Sequence, residues 1–161
     1  MERDFCVLRS HPAAIVPRRG TRYSVGYDLF ATDSITVQPH SSLLVDTGVS
    51  LILPYGCFAK VESRSSLSVR HLLFTAAGVI DADYTGELKV LLVNHSDRIV
   101  NVPYGKACAQ LIIIRAFFDP YHLRPLEISD PEEYAKLHDS RYPDNQRGEA
   151  GFGSTDKITP V

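Results

Sequence analysis

Six residues, Asp81-Ala82-Asp83-Tyr84-Thr85-Gly86, place two carboxylates, a phenol and a glycine directly after the apolar run Val79-Ile80. A carboxylate held beside a water can take its proton, so the patch suits general-base hydrolysis. Acids at such a place usually serve only to form the turn, so their company decides the matter. Ser63-Arg64-Ser65-Ser66-Leu67 combines a guanidinium fork with three hydroxyls, a set that suits phosphate oxygens. Asp28, within Gly26-Tyr27-Asp28-Leu29, puts a charge inside a strand-like run, where it needs a partner or a metal. Gln110 lies in the buried-looking run Gly105–Leu111. The segment Arg147–Thr155, R-G-E-A-G-F-G-S-T, joins an arginine, three glycines whose amides can approach an anion, two hydroxyls and an aromatic. It lacks the G-K-[ST] ending of a Walker A loop, so a P-loop nucleotidase is not indicated.

The elements that must position these groups read as β. Short apolar runs recur every eight to twelve residues or so with almost no helical periodicity, which argues for an all-β sandwich or barrel. Val7-Leu8 begins a first strand and His11–Arg22 reads as a loop. Tyr23–Thr32, Ser34–Pro39 and Ser42–Pro54 are strand-like, with Gly48 a bulge or kink in the last. Ala76–Asn94 reads as a β-hairpin whose polar tip carries Asp81 and Tyr84. Pro54-Tyr55-Gly56 recurs as Pro103-Tyr104-Gly105, read as type I turns with proline second and glycine fourth, each leading into a strand. The one helical signal is at Pro131–His138, preceded by the capping acid Asp130. Polar, glycine-rich sequence follows from 140 to 155.

Composition bounds the rest. A chain of 161 residues, 44% hydrophobic and 22% charged, is one ordinary domain with a real core. A net charge of −2 leaves no basic stripe for nucleic acid. The opening M-E-R-D-F-C-V-L-R-S has no apolar signal region and no run is long enough to cross a bilayer, so an intracellular protein, cytoplasmic or nuclear, is expected. Cys6, Cys57 and Cys108 are too dispersed for a zinc site or a disulfide framework and read as reduced thiols.

Taken in order, G-Y-D-L-F-A, R-S-S-L, G-V-I-D-A-D-Y-T-G, G-K-A-C-A-Q-L-I and R-G-E-A-G-F-G-S-T resemble the five motifs of the trimeric dUTP pyrophosphatases (dUTPases) from about Ser24 to Thr155. The resemblance implies a jelly-roll-like β subunit in a homotrimer, residues 1–140 forming the domain and 141–161 a swapped arm that closes as a lid. It implies hydrolysis of dUTP to dUMP and pyrophosphate, which limits uracil in DNA and supplies dUMP for thymidylate synthesis. On this resemblance Asp81 is the general base, and Tyr84 lies under the deoxyribose. The backbone around Gly78 and Val79 reads uracil. Arg64, Ser65, Ser66 and Gln110 hold the triphosphate. Mg²⁺ rides on the phosphates, with Asp28 reaching it through water. Phe152 stacks on the base while Arg147, Gly153, Ser154 and Thr155 close over the phosphates.

Some residues depart from the family pattern. Ser66 stands where the second motif usually has glycine, and Lys106-Ala107 where the fourth commonly has an acid and an arginine. The interval from Gln110 to Arg147 is longer than usual and holds the expected helix. R-S-S-L also occurs in the related dCTP deaminases, but these place a glutamate where this chain has Leu91 and lack a G-F-G-S-T tail. No H-x-E or P-C-x-x-C of a zinc deaminase is present. A scaffold acting through protein contacts is the other alternative, since Thr159 and Val161 fit a PDZ-ligand pattern.

Overall fold

The computed structural model describes residues 5–116 together with 130, 132, 133, 136 and 140. The described chain forms β1 (Cys6–Arg9), β2 (Arg18–Arg19), β3 (Tyr27–Phe30), β4 (Ile35–Val37), β5 (Ser42–Ile52), β6 (Cys57–Glu62), α1 (Ser65–His71), β7 (Leu73–Ala76), β8 (Val79–Ile80), β9 (Glu87–Asn94), β10 (Val100–Val102) and β11 (Ala107–Arg115). Three sheets result, ordered β1-β5-β9-β7, β2-β3-β11-β6-β8 and β10-β4. The expected all-β class holds, and its cause is visible in the strands. In β9, E-L-K-V-L-L-V-N, Leu88, Val90, Leu92 and Asn94 turn inward, while Lys89 faces solvent. In β6, Cys57, Ala59 and Val61 do the same. This period of two gives each strand one buried face. The inward side chains of all three sheets join a single apolar cluster, with Leu29, Val49, Val90 and Leu111 at 0–1% exposure.

One polar residue closes a corner of that core. Asn94, fully buried, directs its amide nitrogen to the carbonyls of Val37, Gln38 and Arg98 at 2.8–3.1 Å. Its oxygen accepts from the Ser96 amide and hydroxyl at 2.9 and 2.7 Å. Every polar atom of the side chain is therefore satisfied, and the end of β9 is fastened to the end of β4.

Gly48 falls where the β5–β9 register shifts, between Asp46 and Ser50, as the sequence suggests. The two Pro-Tyr-Gly turns differ from expectation. The Cys57 amide bonds the Pro54 carbonyl (3.1 Å) and the Lys106 amide that of Pro103 (3.0 Å), so proline is first and glycine third. Gly56 and Gly105 have φ of 75° and 79°, the positive value that a type II turn demands at that position. β6 and β11, which these turns introduce, pair with each other.

Helix α1 also differs from expectation, since the sequence reading has no helix at Ser65–His71. With seven residues and none buried, it is too short for apolar periodicity to reveal it. It closes on Leu72 at φ 50°, whose amide bonds the Ser68 carbonyl, with Arg70 and His71 in the last turn, where cations complement the helix dipole. Farther on, Glu132, Glu133, Lys136 and Ser140 are helical and Asp130 Oδ1 accepts the Glu132 amide at 2.9 Å, the cap expected there. The other residues of Pro131–His138 lie outside the described set. Among the described residues no helix is long and apolar enough to cross a membrane.

Candidate active site

The stretch around Asp81 begins as the expected hairpin and then departs from it. β7 and β9 form the stem, with Thr75 opposite Leu92 and Ala76 opposite Leu91. Beyond Ala76 the chain leaves this sheet through two positive-φ residues, Ala77 at 56° and Gly78 at 102°. The Gly78 carbonyl accepts the Val61 amide at 2.8 Å, and β8 pairs with β6, Ile80 opposite Ala59 and Val79 opposite Lys60. Val79-Ile80 thus joins the edge of the second sheet instead of facing β9, and residues 81–86 bridge back. A side chain at position 78 would bring Cβ within 2.6 Å of the Val61 carbonyl oxygen, so glycine is required by both backbone angle and room.

The bridge is tied at both ends. The Tyr84 amide donates to the Asp81 carbonyl at 3.1 Å, and the Tyr84 hydroxyl donates to the Glu87 carbonyl at 3.0 Å. Glu87 Oε1 accepts the Gly48 amide at 3.0 Å, which fastens the base of the bridge to the β5 bulge. The result is a cleft of about 260 Å³ to which Gly78, Val79, Asp81 and Tyr84 all contribute, with Leu44 and Leu91 as apolar walls. Asp81 is exposed and available to a water. Asp83 is also exposed, in keeping with a turn residue.

A second cleft, about 230 Å³, gathers Asp28, Arg64, Ser65, Ser66 and Gln110. Its floor is a rung across three strands, in which Gln110 of β11 lies opposite Asp28 of β3 on one side and Glu62 of β6 on the other. Asp28 has the partner its position demands: Arg64 Nη1 is 2.5 Å from its Oδ1. Nη1 is nevertheless a buried nitrogen with no aligned hydrogen bond. Charge is balanced, but this nitrogen is enclosed, so an anion gains its hydrogens only by drawing the guanidinium away from Asp28. Gln110 Nε2 donates to the Ser63 carbonyl at 2.9 Å. Gly26 leaves room for this side chain, since a Cβ there would collide with Gln110 Oε1. Ser65 and Ser66 open α1, where the first amides have no partner within the helix.

The sequence-predicted residues therefore gather as two groups, and on one chain the two clefts share no lining residue. Arg147, Phe152, Gly153, Ser154, Thr155, Thr159 and Val161 lie outside the described residues. The sequence reading did not single out Lys89, which lines the first cleft. The strand register Asp46↔Lys89 reveals it, and nothing in the local motif does.

No three His, Cys, Asp or Glu residues among those described converge as a metal cage. The polar cleft offers a cation one carboxylate, Asp28, a donor set that fits Mg²⁺ arriving on a polyphosphate with most of its waters retained. The cysteines are free, Cys6 exposed and the other two buried. Burial pushes the Cys108 thiol up to about 11, which makes it a packing residue rather than a nucleophile.

The family model described as dUTPase matches residues 13–156. The deoxyuridine 5'-triphosphate nucleotidohydrolase of Candida albicans is 39% identical over 153 residues, covering 93% of this chain and 86% of its own. That of avian adenovirus 8 is 40% identical over 144 residues, covering 89% and 79%. Among solved structures, a mutant of the phage 80alpha dUTPase superposes with a TM-score of 0.72 at 23% identity, over 96% of this chain and 99% of that one.

Proposed function

The chain belongs to the dUTPase family, and on that premise we propose that it hydrolyses dUTP to dUMP and pyrophosphate, with Asp81 as the general base. The observation that carries this reading is the convergence of Asp81, Tyr84, Gly78 and Val79 on one cleft. Uracil enters against that backbone. Fixed amides and carbonyls in a tight bend penalise a base that leaves them unpaired, and the bend leaves no space for a thymine methyl. Tyr84, held by its bond to the Glu87 carbonyl, forms a flat wall for the deoxyribose and excludes a 2′-hydroxyl. Asp81 accepts the proton of the water that attacks the α-phosphorus.

The triphosphate is gripped by Arg64, Ser65, Ser66 and Gln110. Arg64 swings from Asp28 to phosphate oxygens. Asp28, released from the ion pair, would hold Mg²⁺ through water, and the ion would supply neutralisation of charge developing on the phosphates. Because the two groups of residues line different clefts of one chain, a complete site is assembled between subunits. A homotrimer supplies the pairing, with Arg147, Phe152, Gly153, Ser154 and Thr155 of a third subunit closing the top.

Pyrophosphate release from dUTP, measured beside dCTP, UTP and dTTP with and without Mg²⁺, tests the reading. Preference for dUTP and loss of turnover in Asp81→Asn are the expected results. Ammonia release from dCTP, or full activity in Asp81→Asn, overturns it.

A further inference from the structure

The side chains of the Asp81 cleft differ sharply in what they can still donate. Its walls are largely aliphatic, from Leu44, Leu91 and the Ala76–Ile80 turn. Asp81, when ionised, only accepts hydrogen bonds. The Tyr84 hydroxyl is spent on the Glu87 carbonyl. Lys89 remains. It faces outward from β9 directly opposite Asp46 of β5, and its ammonium pairs with the Asp46 carboxylate. One carboxylate occupies part of a three-donor group, so hydrogens remain to be given. The hydrogen bond to Asp46 raises the pKa of Lys89, and the group stays cationic at neutral pH.

We propose that Lys89 is a specificity-determining side chain: held by Asp46, its ammonium donates to the C4 carbonyl of the bound pyrimidine, the one that cytosine replaces with an amine, and so favours a dioxo ring over an amino-substituted one. This rests on the reading of the cleft as the base site and adds a side chain to what the backbone reads. A uracil ring offers carbonyl oxygens at both positions flanking N3. Cytosine replaces one of them with an amine, which presents hydrogens to a cation that has hydrogens of its own. The mismatch leaves donors facing donors, an arrangement that discriminates between isosteric ligands.

The test uses the full chain and diphosphates that are not turned over: calorimetric affinities for dUDP and dCDP, with Mg²⁺, in the wild type and in Lys89→Met, Lys89→Arg and Asp46→Asn. Lys89→Met is expected to narrow the dUDP/dCDP affinity ratio by about tenfold, through weaker dUDP binding, as the loss of one charge-assisted bond predicts. Lys89→Arg keeps a cationic donor and retains most of the ratio. Asp46→Asn frees the ammonium and narrows the ratio less than Lys89→Met does. A thermal melt checks that each variant is folded; if Lys89→Met is not, the Asp46→Asn ratio decides. An unchanged ratio in the deciding variant, a Lys89→Arg ratio as low as that of Lys89→Met, or a wild type without preference overturns the proposal. Wild-type failure to release pyrophosphate from dUTP overturns the functional reading instead, while the affinity ratio still decides the role of Lys89.

Discussion

The two clefts are built by different means. The Asp81 cleft owes its shape to backbone: two positive-φ residues carry the chain from one sheet to the other, and the Gly78 carbonyl is pinned by the Val61 amide. The Asp28–Arg64 cleft owes its shape to side chains laid on a regular three-strand rung, with Arg64 resting against Asp28 and Gln110 against the Ser63 carbonyl. A site that must discriminate among similar flat rings benefits from groups that cannot move. A site that must grasp a flexible polyphosphate benefits from a guanidinium that can exchange one anion for another. On the proposed reading, rigidity and exchange are thus divided between two parts of one chain.

That contrast orders the expected effects of substitution. Asp81→Asn keeps the shape of its cleft and removes only the proton acceptor, so kcat falls by about 10²–10⁴ while dUDP affinity stays near that of the wild type. Single-turnover rates with a binding titration check this. Arg64→Ala strikes the exchanging partner: KM for dUTP rises about 10- to 100-fold, as loss of a charge-assisted contact predicts, while dUDP/dCDP selectivity is retained. Selectivity lost with Arg64 would show that the clefts are not divided as described. Next come two matched glycine changes. Gly78→Ala meets a carbonyl oxygen at 2.6 Å that belongs to a paired strand, and it also needs a left-handed backbone angle, so it costs about 1–3 kcal/mol, read as a lower melting midpoint. Gly26→Ala meets Gln110, chiefly its amide end, which must leave the Ser63 carbonyl, so it raises KM several-fold with a smaller drop in melting than Gly78→Ala. Equal melting losses for the two would erase the distinction between backbone-built and side-chain-built clefts.

The smallest effect belongs to Cys108 beneath the rung. Its native pKa, raised to about 11 from 9.0 by burial, means that the unfolded chain releases this proton first as pH rises. Stability from this group is therefore constant below pH 9 and declines between the two values. At neutral pH a thiol reagent should modify Cys6 rapidly and Cys108 only after unfolding.

How much of this was legible in the sequence depended on whether the signal was local. A carboxylate inside Y-D-L-F announced its need for a partner, and the partner is Arg64. Gly48 announced a break in a strand and marks one. Short apolar runs at even spacing, with almost no helical period, pointed to the β class. Three features were not legible, two because distant residues decide them and one because the element is short. Val79-Ile80 is as β-prone as a hairpin arm should be, but only the available edge of β6 determines which strand it joins. Helix α1 is too short to carry a period. Lys89 looks like any exposed strand lysine until the register sets it opposite Asp46 and beside Tyr84. The turn type was misread for a simpler reason, since proline is compatible with several turn positions whereas the positive φ of the glycine is not.

The passage of residues 76–87 from one sheet to the other and back has a kinetic consequence. An intermediate in which only β1, β5, β9 and β7 have paired possesses the hairpin stem but no edge to receive Val79-Ile80. One holding only the second sheet has the edge but no stem. The Asp81 carboxylate acquires its neighbours only when the two sheets meet, so during refolding enzymatic activity should return no earlier than tertiary docking and the proposed subunit assembly, after strand content measured by far-ultraviolet circular dichroism has largely recovered.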